Sequence, residues 1–448
     1  MIMQLNNKNN AVIVHQSNSL RGTVRTPSDK SISHRGLILG ALCLGETTIQ
    51  NLLLSEDVIN TAEAMRQFGA NIMINKDAEC KISGIGIGGL LQPKKNIYLG
   101  NSGTSARLLI GLMSSCEIEV KFEGDESLSK RPMDRVLTPL QKVGLEILED
   151  NDRKLPLTLR GAEMPVPIYH HLTLASAQVK TALILSALNI SGTSTIIESI
   201  KTRDHTENLL RLFGADIKIT KNKDGHDVIK INGQVKLSPQ SIDIPGDPSS
   251  AAFLVVAGLI KPNSELEITN VMTNSTRAHF INVLKRMGAN IKITRTYSKC
   301  GEDVCDMSVT SSELKGTIIT KEEVPSLIDE FLILSVAAAY ARGTSKFCGL
   351  SELRVKESNR FDAIINMLSS SGVSCRSVGD DIVIDGKGEV AGGSEIKTSL
   401  DHRTAMASFI LGLNAHDKIR IDDISPISTS FPGFTQLYTQ IGGIYISE

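Results

Sequence analysis

Six similar segments recur along this chain at nearly constant spacing. Each consists of an apolar helix end, a glycine, and a stretch in which apolar and polar residues alternate. The six glycines, 70 to 84 residues apart, are Gly69, Gly144, Gly214, Gly288, Gly372 and Gly442. A glycine just past a helix adopts the left-handed conformation without steric cost, and a change of period from 3.6 to 2 residues marks a helix followed by a strand. The pattern therefore predicts six copies of one α/β unit.

A second recurring segment and one loop-rich turn indicate how the copies are grouped. The runs L-G-E-T-T-I-Q, S-G-T-S-T-I-I and A-R-G-T-S-K-F each predict a tight turn that leads into a strand. The turn I-P-G-D-P-S-S at residues 244–250 begins the fourth copy and predicts a crossover between two halves of three copies each. A length of 448 residues is typical of two domains.

Charge and composition exclude several classes of function. The formal net charge is −1, so no overall basic field would hold nucleic acid or an anionic membrane. Tryptophan is absent and the few aromatic residues do not alternate with basic ones, which argues against a surface for stacking bases. The seven cysteines have no paired zinc-ligand spacing, and we expect them to be reduced thiols.

The sequence also predicts where the protein resides. Its first ten residues lack the basic and apolar blocks of a signal peptide. The longest apolar runs, residues 251–260 and 331–341, are too short to span a bilayer. We therefore expect a cytoplasmic protein.

The segment P-S-D-K-S-I-S-H-R at residues 27–35 is the first candidate for an anion site. Its proline predicts the end of a strand, and Ser28 or Asp29 can cap the helix that follows. The helix N-terminus would present free N–H groups beside Lys30, with Arg35 one turn further on. Such a helix start suits an anionic group such as phosphate.

A second segment suits an oxyanion, and a third contains an arginine that, taken alone, is typical of a surface loop. In L-G-N-S-G-T-S-A-R-L-L, residues 99–109, Gly103 allows close backbone approach and Arg107 follows within a turn. This run matches neither a Walker loop nor G-x-G-x-x-G, so it does not predict a nucleotide site. In S-L-S-K-R-P-M, residues 127–133, the proline biases Arg131 towards an extended conformation.

Polar residues also interrupt an apolar run in L-A-S-A-Q-V-K, residues 174–180. Ser176, Gln178 and Lys180 need partners there, so they either bind a ligand or cap a core helix. The nearby run T-R-D-H-T-E at residues 202–207 predicts a helix start with Arg203 free to face a ligand.

Carboxylates occur among apolar and basic residues in two segments. In S-L-I-D-E-F-L-I-L, Asp329 or Glu330 must be exposed, paired or functional, and a desolvated aspartate would have a raised pKa suited to a general base. In L-R-V-K-E-S-N-R, a helix would place Lys356 and Arg360 on one face, which is unfavourable unless an anion lies between them.

The last motif, L-D-H-R-T-A-M-A at residues 400–407, sets a charged triplet before a helix of small residues. No G-x-S-x-G occurs in the chain, which disfavours a serine–histidine–aspartate hydrolase. We expect His402 to form structural hydrogen bonds rather than to act as a catalyst.

Taken in this order, the seven motifs resemble those of the 5-enolpyruvylshikimate-3-phosphate synthase family, from about Leu20 to the C-terminus. The resemblance implies an α/β fold: an inverse α/β barrel of two similar domains, each of three βαβαββ repeats, the enolpyruvyl transferase fold. The implied domains are residues 29–245 and residues 1–28 with 246–448, and the active site lies in the cleft between them. The implied reaction transfers the enolpyruvyl group of phosphoenolpyruvate to the 5-hydroxyl of shikimate 3-phosphate and releases phosphate, in the shikimate pathway towards chorismate and the aromatic amino acids.

The resemblance also implies roles for individual residues. Asp329 would be the base, Glu357 the acid, and Lys30 a phosphate-stabilising catalytic residue. The residues implied around shikimate 3-phosphate are Lys30, Ser31, Arg35, Ser176, Ala177, Gln178, Arg203, Asp329 and Lys356. Those implied around phosphoenolpyruvate are Lys30, Asn101, Gly103, Thr104, Arg131, Gln178, Arg360 and Arg403. No metal and no organic cofactor is implied, and we expect a monomer.

Short signatures are similar to those of the branch called class II, which includes glyphosate-tolerant enzymes. They are R-D-H-T-E, S-A-Q-V-K and N-S-T-R. Leu108 stands where the sensitive branch commonly has proline, and Thr429 where that branch has a phosphate-site lysine. Ser28 departs from the usual glycine. Gly103 departs from the alanine of some tolerant enzymes, so a methyl group that would crowd glyphosate is missing.

Two alternatives differ in function. UDP-N-acetylglucosamine enolpyruvyl transferase shares the fold and the donor, but that family uses a loop cysteine. The loop near Arg131 has none, and Cys116 lies in a segment that resembles a strand. A non-catalytic anion-binding or assembly protein could be built on the same repeats. The carboxylates Asp329 and Glu357, in motifs that also carry basic residues, favour chemistry instead.

Overall fold

The computed structural model describes residues 10–448. Residues 1–9 lie outside this range, and with them most of the segment on which the signal-peptide prediction rests and the start of the expected domain segment 1–28. In the described range the α-helices are α1 (Lys30–Ala41), α2 (Glu56–Gln67), α3 (Gly103–Met113), α4 (Asp134–Gln141), α5 (Ala177–Leu188), α6 (His205–Leu212), α7 (Pro248–Ile260), α8 (His279–Arg286), α9 (Val324–Leu327), α10 (Phe331–Ala339), α11 (Arg360–Ser370), α12 (His402–Gly412) and α13 (Phe434–Gln440).

The strands are short, and most belong to hairpins or parallel pairs. They are β1 (Val12–His15), β2 (Arg21–Arg25), β3 (Glu46–Gln50), β4 (Asn71–Ile74), β5 (Cys80–Ser83), β6 (Ile97–Tyr98), β7 (Glu119–Glu123), β8 (Glu146–Asn151), β9 (Lys154–Arg160), β10 (Tyr169–Leu172), β11 (Thr193–Glu198), β12 (Ile217–Lys221), β13 (Asp227–Asn232), β14 (Ser241–Asp243), β15 (Glu265–Met272), β16 (Asn290–Lys299), β17 (Glu302–Thr310), β18 (Ile318–Ile319), β19 (Arg342–Phe347), β20 (Ser374–Val378), β21 (Asp381–Lys387), β22 (Glu395–Ile396), β23 (Ile419–Ile421) and β24 (Ile444–Ser447).

Six four-stranded sheets of one topology organise these strands. Their orders are β14-β3-β5-β4, β6-β7-β9-β8, β10-β11-β13-β12, β2-β15-β17-β16, β18-β19-β21-β20 and β22-β23-β1-β24. In each sheet the first two strands are parallel and the other neighbours are antiparallel. The run β6-α3-β7-α4-β8-β9 shows the βαβαββ order of one repeat.

The glycines that mark the repeats have the expected backbone conformation. All six have positive φ, from 81° at Gly214 to 114° at Gly144. Each follows a helix and precedes a strand, which in the first five repeats begins a hairpin (β4, β8, β12, β16 and β20) and in the sixth is β24, paired with β1. The sixfold repeat predicted from the sequence is therefore confirmed.

Two hydrophobic cores lie under the sheets. The first core is formed by residues between 32 and 244 together with Met272, and the second core by residues 12–24 and 251–441. Each core carries three of the six sheets. Strand β2 pairs with β15 of the second core, and β14 pairs with β3 of the first core. The chain therefore passes between the cores twice, just before Lys30 and just before Pro248.

Two expectations about the cysteines have different outcomes. All seven cysteines are free, as predicted. Cys116 lies in the turn between α3 and β7, so its placement in a strand-like segment was wrong.

No α-helix of residues 10–448 is long and apolar enough to cross a membrane.

Candidate active site

A cavity of about 230 Å³ lies between the two cores. One helix between the first two strands of each repeat begins at this cavity, namely α1, α3, α5, α7, α10 and α12. The N-cap residues of these helices are Asp29, Ser102, Ser176, Asp247, Glu330 and Asp401. A helix N-terminus carries a partial positive charge and unpaired N–H groups, so six of them favour an anionic ligand.

Local hydrogen bonds explain why these helices begin where they do. The Asp29 carboxylate accepts from the N–H of Ile32 at 2.7 Å, so Asp29 rather than Ser28 caps α1. Ser102 accepts from the N–H of Ser105 at 3.1 Å and caps α3. Each cap holds the next residues of its motif at the cavity wall.

Charged side chains of both signs line the cavity. Among the residues the structure describes, the cationic ones are Lys30, Arg107, Arg131, Arg135, Arg203, Arg277, Lys356 and Arg403. The carboxylates in the same range are Asp57, Asp247, Asp329, Glu352 and Glu357. Because cations outnumber carboxylates, the cavity is suited to polyanions.

Asp329 lies just before the N-cap of α10 and faces three arginines. Its carboxylate oxygens lie 2.5 Å from Nη2 of Arg203, 3.2 Å from Nη1 of Arg360 and 3.7 Å from Nε of Arg403. Burial alone would raise the pKa of Asp329, but the arginines outweigh it and hold the pKa well below its usual range. The expectation of a raised pKa from desolvation was therefore wrong.

Glu357 follows the 3₁₀ segment Ser351–Val355 and lies 2.7 Å from Nη2 of Arg360. Burial raises the pKa of this carboxyl, but Arg360 and Arg131 outweigh it and lower the pKa well below its usual range. The Ser127 hydroxyl donates to the Glu357 carbonyl at 3.2 Å, which joins the two sides of the cavity.

The expected helical face shared by Lys356 and Arg360 does not exist. Helix α11 begins at Arg360 with Asn359 as its N-cap, and Lys356 lies before it in extended conformation. Arg360 pairs with Asp401, whose Oδ2 lies 2.8 Å from Nε, as well as with Asp329 and Glu357. The negative charge that we expected an anion to supply beside Arg360 therefore comes from three carboxylates of the chain itself.

On the opposite wall, hydrogen bonds form two groups of polar side chains, one of three residues and one of two. Nη1 of Arg107 donates to Oε1 of Gln178 at 2.8 Å, and Nε2 of Gln178 donates to Thr104 at 3.0 Å. Burial and the neighbouring Arg131 lower the pKa of Arg107 to about 10. Arg131 itself donates to Oδ1 of Asn101 at 2.5 Å.

Most of the residues expected from the sequence line the cavity. These are Lys30, Ser31, Asn101, Gly103, Thr104, Arg131, Ser176, Ala177, Gln178, Arg203, Asp329, Lys356, Glu357 and Arg403. Arg35 and Arg360 lie behind its wall. Arg35 donates to Thr206 at 2.7 Å and to the Ser31 carbonyl at 2.9 Å, so it supports residues that reach the cavity.

The two alternatives for the run at residues 174–180, ligand binding and capping of a core helix, apply to different residues. Ser176 caps α5, and Gln178 faces the cavity. Lys180 is fully buried, with Nζ 3.0 Å from Glu198 and 2.8 Å from Glu207. Lys180 therefore joins two elements of the first core instead of binding a ligand.

Sequence reasoning missed several residues of the cavity wall. Asp57 forms an ion pair with Lys30, and Arg135 forms a bidentate pair with Glu352 from the other core at 2.8 and 3.0 Å. His402 also lines the cavity. Burial and the adjacent Arg403 lower the pKa of His402 to about 3, so its imidazole is neutral at pH 7. Nε2 of His402 has no hydrogen-bond partner, contrary to the structural role expected for it.

Asp204, His205 and Glu302 bring three potential metal-ligating atoms within 4.8 Å of one another. These atoms are already engaged in hydrogen bonds. Nδ1 of His205 lies 2.8 Å from Glu302, and the Asn274 amide donates to Asp204 at 2.8 Å and to Glu302 at 2.7 Å. The cluster is thus a hydrogen-bond network between the two cores.

Comparison with known proteins agrees with this geometry. The family model described as EPSP synthase (3-phosphoshikimate 1-carboxyvinyltransferase) matches residues 14–437. The chain belongs to the EPSP synthase family. A relative from Chelativorans sp. (strain BNC1) named 3-phosphoshikimate 1-carboxyvinyltransferase is 48% identical over 95% of this chain and 96% of its own length. A relative of the same name from Bartonella henselae is 47% identical over 96% of this chain and 97% of its own length.

Solved structures confirm the enolpyruvyl transferase fold. An EPSP synthase from Acinetobacter baumannii superposes with a TM-score of 0.85 at 37% identity, covering 97% of this chain and 99% of that one. The enolpyruvyl transferase NikO from Streptomyces tendae superposes with a TM-score of 0.74 at 15% identity, covering 97% and 98%, and at that identity it shows the fold alone. The fold built from the six repeats is thus shared with a solved EPSP synthase over nearly the whole chain.

Proposed function

We propose that this protein transfers the enolpyruvyl group of phosphoenolpyruvate to the 5-hydroxyl of shikimate 3-phosphate and releases phosphate. It is an enzyme of the shikimate pathway. The observation that carries the proposal is a pair of carboxylates, Asp329 and Glu357, held among arginines in a cleft at six helix N-termini. Both substrates are polyanions, which such a cleft attracts.

The substrates divide the cavity between them. Ser31, Ser176, Ala177, Arg203 and Lys356 serve shikimate 3-phosphate, and Arg35 supports Ser31 from behind. Asn101, Gly103, Thr104, Arg131 and Arg403 serve phosphoenolpyruvate, with Arg360 behind them. Lys30 and Gln178 lie where both substrates meet. Arginine suits this task because its planar fork binds phosphate and carboxylate bidentately.

The reaction is an addition followed by an elimination. Asp329 takes the proton of the 5-hydroxyl as its oxygen attacks C2 of phosphoenolpyruvate, and Glu357 protonates the methylene carbon C3. In the tetrahedral intermediate Glu357 then recovers a proton from C3, the bond from C2 to the phosphate oxygen breaks, and the leaving phosphate takes up, by way of Lys30, the proton that Asp329 accepted. Lys30 stabilises the phosphate. General acid–base help is worth about 10²–10⁴ in rate for each group.

Substrate binding adjusts both carboxylates for these roles. Arginines hold the pKa of Asp329 and of Glu357 low, which by itself suits neither a strong base nor an acid. Substrate phosphate and carboxylate groups compete with Asp329 for Arg203 and Arg403, and with Glu357 for Arg131, all three of which line the cavity. Neutralising these cations raises the pKa of both carboxyls towards the range in which they exchange protons.

The two cores correspond to two domains, residues 29–245 and residues 1–28 with 246–448. The crossovers before Lys30 and Pro248 support these boundaries. The protein acts as a monomer, because each of the six sheets of residues 10–448 is completed within one chain and the site draws on both cores of that chain. A role in a biosynthetic pathway of small soluble substrates supports a cytoplasmic location. The protein's R-D-H-T-E, S-A-Q-V-K and N-S-T-R signatures, which resemble those of class II, support a place in that branch.

The test is phosphate release from phosphoenolpyruvate with shikimate 3-phosphate as acceptor, beside a reaction with UDP-N-acetylglucosamine. We expect release with shikimate 3-phosphate alone. Release with the nucleotide sugar alone would keep the fold and overturn the function. Release with neither acceptor, in folded protein, would favour a non-catalytic anion-binding protein. The Glu357→Gln variant is the control that separates turnover from contaminating phosphatase.

A further inference from the structure

The two crossovers between the cores are paired with each other. They have the related sequences P-S-D at residues 27–29 and P-G-D at residues 245–247. The Asp29 N–H donates to the Pro245 carbonyl at 2.7 Å, and the Asp247 N–H donates to the Pro27 carbonyl at 2.7 Å. A Cβ atom at Gly246 would lie 1.8 Å from the Asn270 carbonyl oxygen, so only glycine fits there. The crossovers form one short antiparallel hinge.

Arg277 joins both strands of this hinge. It is 2% exposed. Nη1 lies 3.2 Å from Oδ2 of Asp29, and Nη2 lies 3.2 Å from Oδ1 of Asp247. These two aspartates cap α1 and α7, the first helices on either side of the hinge. The chain thus places one buried guanidinium between the two N-cap carboxylates at its crossovers.

The remaining N–H groups of the two Nη atoms are also used. Nη1 donates to Nε2 of His205 at 3.2 Å, and Nη2 donates to the Ser249 hydroxyl at 3.1 Å. A guanidinium only donates, so Nε2 of His205 accepts and its Nδ1 carries the proton directed at Glu302. With all four terminal N–H groups engaged by the protein, Arg277 has no Nη donor left for a substrate.

The partners of Arg277 lead directly to residues proposed for catalysis. Lys30 follows Asp29, and its own N–H donates to Oδ2 of Asp247 at 3.3 Å. The Ser249 hydroxyl donates to the Glu330 carboxylate, and Glu330 follows Asp329. One buried side chain therefore connects the backbone that carries the proposed phosphate-stabilising lysine with the backbone that carries the proposed base.

We propose that Arg277 is a positioning residue that holds the two crossovers in register and so sets the distance between Lys30 and Asp329. The inference rests on the proposed function for its effect on turnover. It also accounts for the joint presence of the R-D-H-T-E and N-S-T-R signatures, since Arg277 contacts His205, and Asn274 contacts Asp204, across the gap between the cores.

The test is the Arg277→Gln variant, compared with an Arg420→Gln control. Arg420 also pairs with two carboxylates, Glu395 at 2.8 Å and Glu448 at 2.7 Å, but on the surface of the second core. We expect Arg277→Gln to lower kcat about 10²-fold, the effect of a displacement of about 1 Å in a site. The KM values should change far less, because Arg277 offers the substrates no Nη donor. Arg420→Gln should match the wild type.

Three results for the Arg277→Gln variant would each overturn the proposal. They are a kcat close to that of the wild type, a rise in KM that accounts for the whole loss of activity, and an unchanged radius of gyration. We expect the radius of gyration of Arg277→Gln in solution scattering to exceed that of the wild type, and this measurement needs no turnover. If the wild-type protein proved inactive, the proposed function would be refuted. The scattering measurement would still test whether Arg277 holds the hinge.

A second variant covers the case in which Arg277→Gln does not fold because Asp29 and Asp247 are left facing each other. In Arg277→Gln combined with Asp247→Asn, one of the two unpaired charges is removed. We expect this double variant to fold with a Tm closer to the wild type, yet to keep the low kcat. Recovery of kcat together with Tm would reduce Arg277 to a charge-balancing role and refute the positioning role.

Discussion

The buried cluster of Lys180, Glu198 and Glu207 offers a sharp test of the structural reasoning. The three side chains are 1%, 3% and 1% exposed, and Lys180 is the cation shared by both carboxylates. In Lys180→Met the side chain keeps its length but loses its charge, so two buried carboxylates lose their counterion. Breaking a buried pair in this way costs about 3–5 kcal/mol of unfolding free energy. For a domain of this size, each kcal/mol shifts Tm by about 2–4 °C, so we expect a decrease of about 6–20 °C.

The two carboxylates should respond differently when each is neutralised in the Lys180→Met background. Glu198 keeps hydrogen bonds from Thr202, including one from its N–H at 3.0 Å. Oε1 of Glu207 pairs with Lys180, and its Oε2 has no partner. Glu207→Gln should therefore restore more stability than Glu198→Gln, which also weakens the bonds to Thr202.

Scanning calorimetry of the wild type, the single variant and the two double variants measures these differences. A loss below about 1 kcal/mol in Lys180→Met, the value of an exposed pair, would refute the claim that the cluster is desolvated. Equal recovery in the two double variants would refute the asymmetry assigned to Glu198 and Glu207. Shikimate 3-phosphate should be omitted, because a bound ligand raises the apparent stability.

Three other predictions concern catalysis, inhibition and pH. Glu357→Gln should lower kcat by about 10²–10⁴ while phosphoenolpyruvate binding, measured by calorimetry, stays nearly unchanged; near-normal turnover would remove Glu357 from the mechanism. Gly103→Ala should raise the Ki of glyphosate more than the KM of phosphoenolpyruvate. The added Cβ would lie 2.9 Å from Nη1 of Arg107 and 3.1 Å from Nη1 of Arg131 and would displace the ends of both side chains. An equal rise in the Ki of glyphosate and the KM of phosphoenolpyruvate would contradict this steric account. Burial opposes ionisation of Glu323, but hydrogen bonds from Arg286, Thr320 and His279 lower its pKa to about 2. A carboxyl with a folded-state pKa below its unfolded value stabilises the fold above the unfolded pKa and loses that effect as pH falls towards 2. Urea unfolding should therefore show Glu323→Gln to be less stable than the wild type at pH 7 but nearly equal to it near pH 2, and a difference independent of pH would assign the effect to packing.

The sequence predicted the repeat and the helix starts because both depend on local physics. Glycine is required wherever a helix ends in the left-handed conformation, and all six repeat glycines have that conformation. The cap of α1 followed from the aspartate at its N-terminus. Such features are encoded within a few residues, so a periodic pattern reveals them.

The electrostatics of the site could not be predicted in the same way. Asp329 faces Arg203 and Arg403, which lie 126 and 74 residues away in the chain. Only the fold brings these cations together, and they reverse the pKa shift that burial alone implies. The helical face assumed for Lys356 and Arg360 failed for a local reason, since Asn359 caps α11 a few residues after Lys356.

The repeat nevertheless explains where the missed residues lie. Each repeat presents side chains to the cleft from the start of its first helix, as Gly103 and Arg403 show. Each can present a second group from the connection between its second strand and its second helix. In four repeats these second positions lining the cavity are Arg131, Arg203, Arg277 and Glu357.

Asp57 occupies the same second position in the repeat of α1, at the start of α2. In the sixth repeat that position contains Thr429, which the cavity does not include. A chain of six similar units therefore builds an asymmetric site by varying the residues near the start of the second helix of each unit. Comparison of the repeats indicates Asp57 and Arg277 as cleft residues, although only Arg277 belongs to one of the quoted signatures, N-S-T-R.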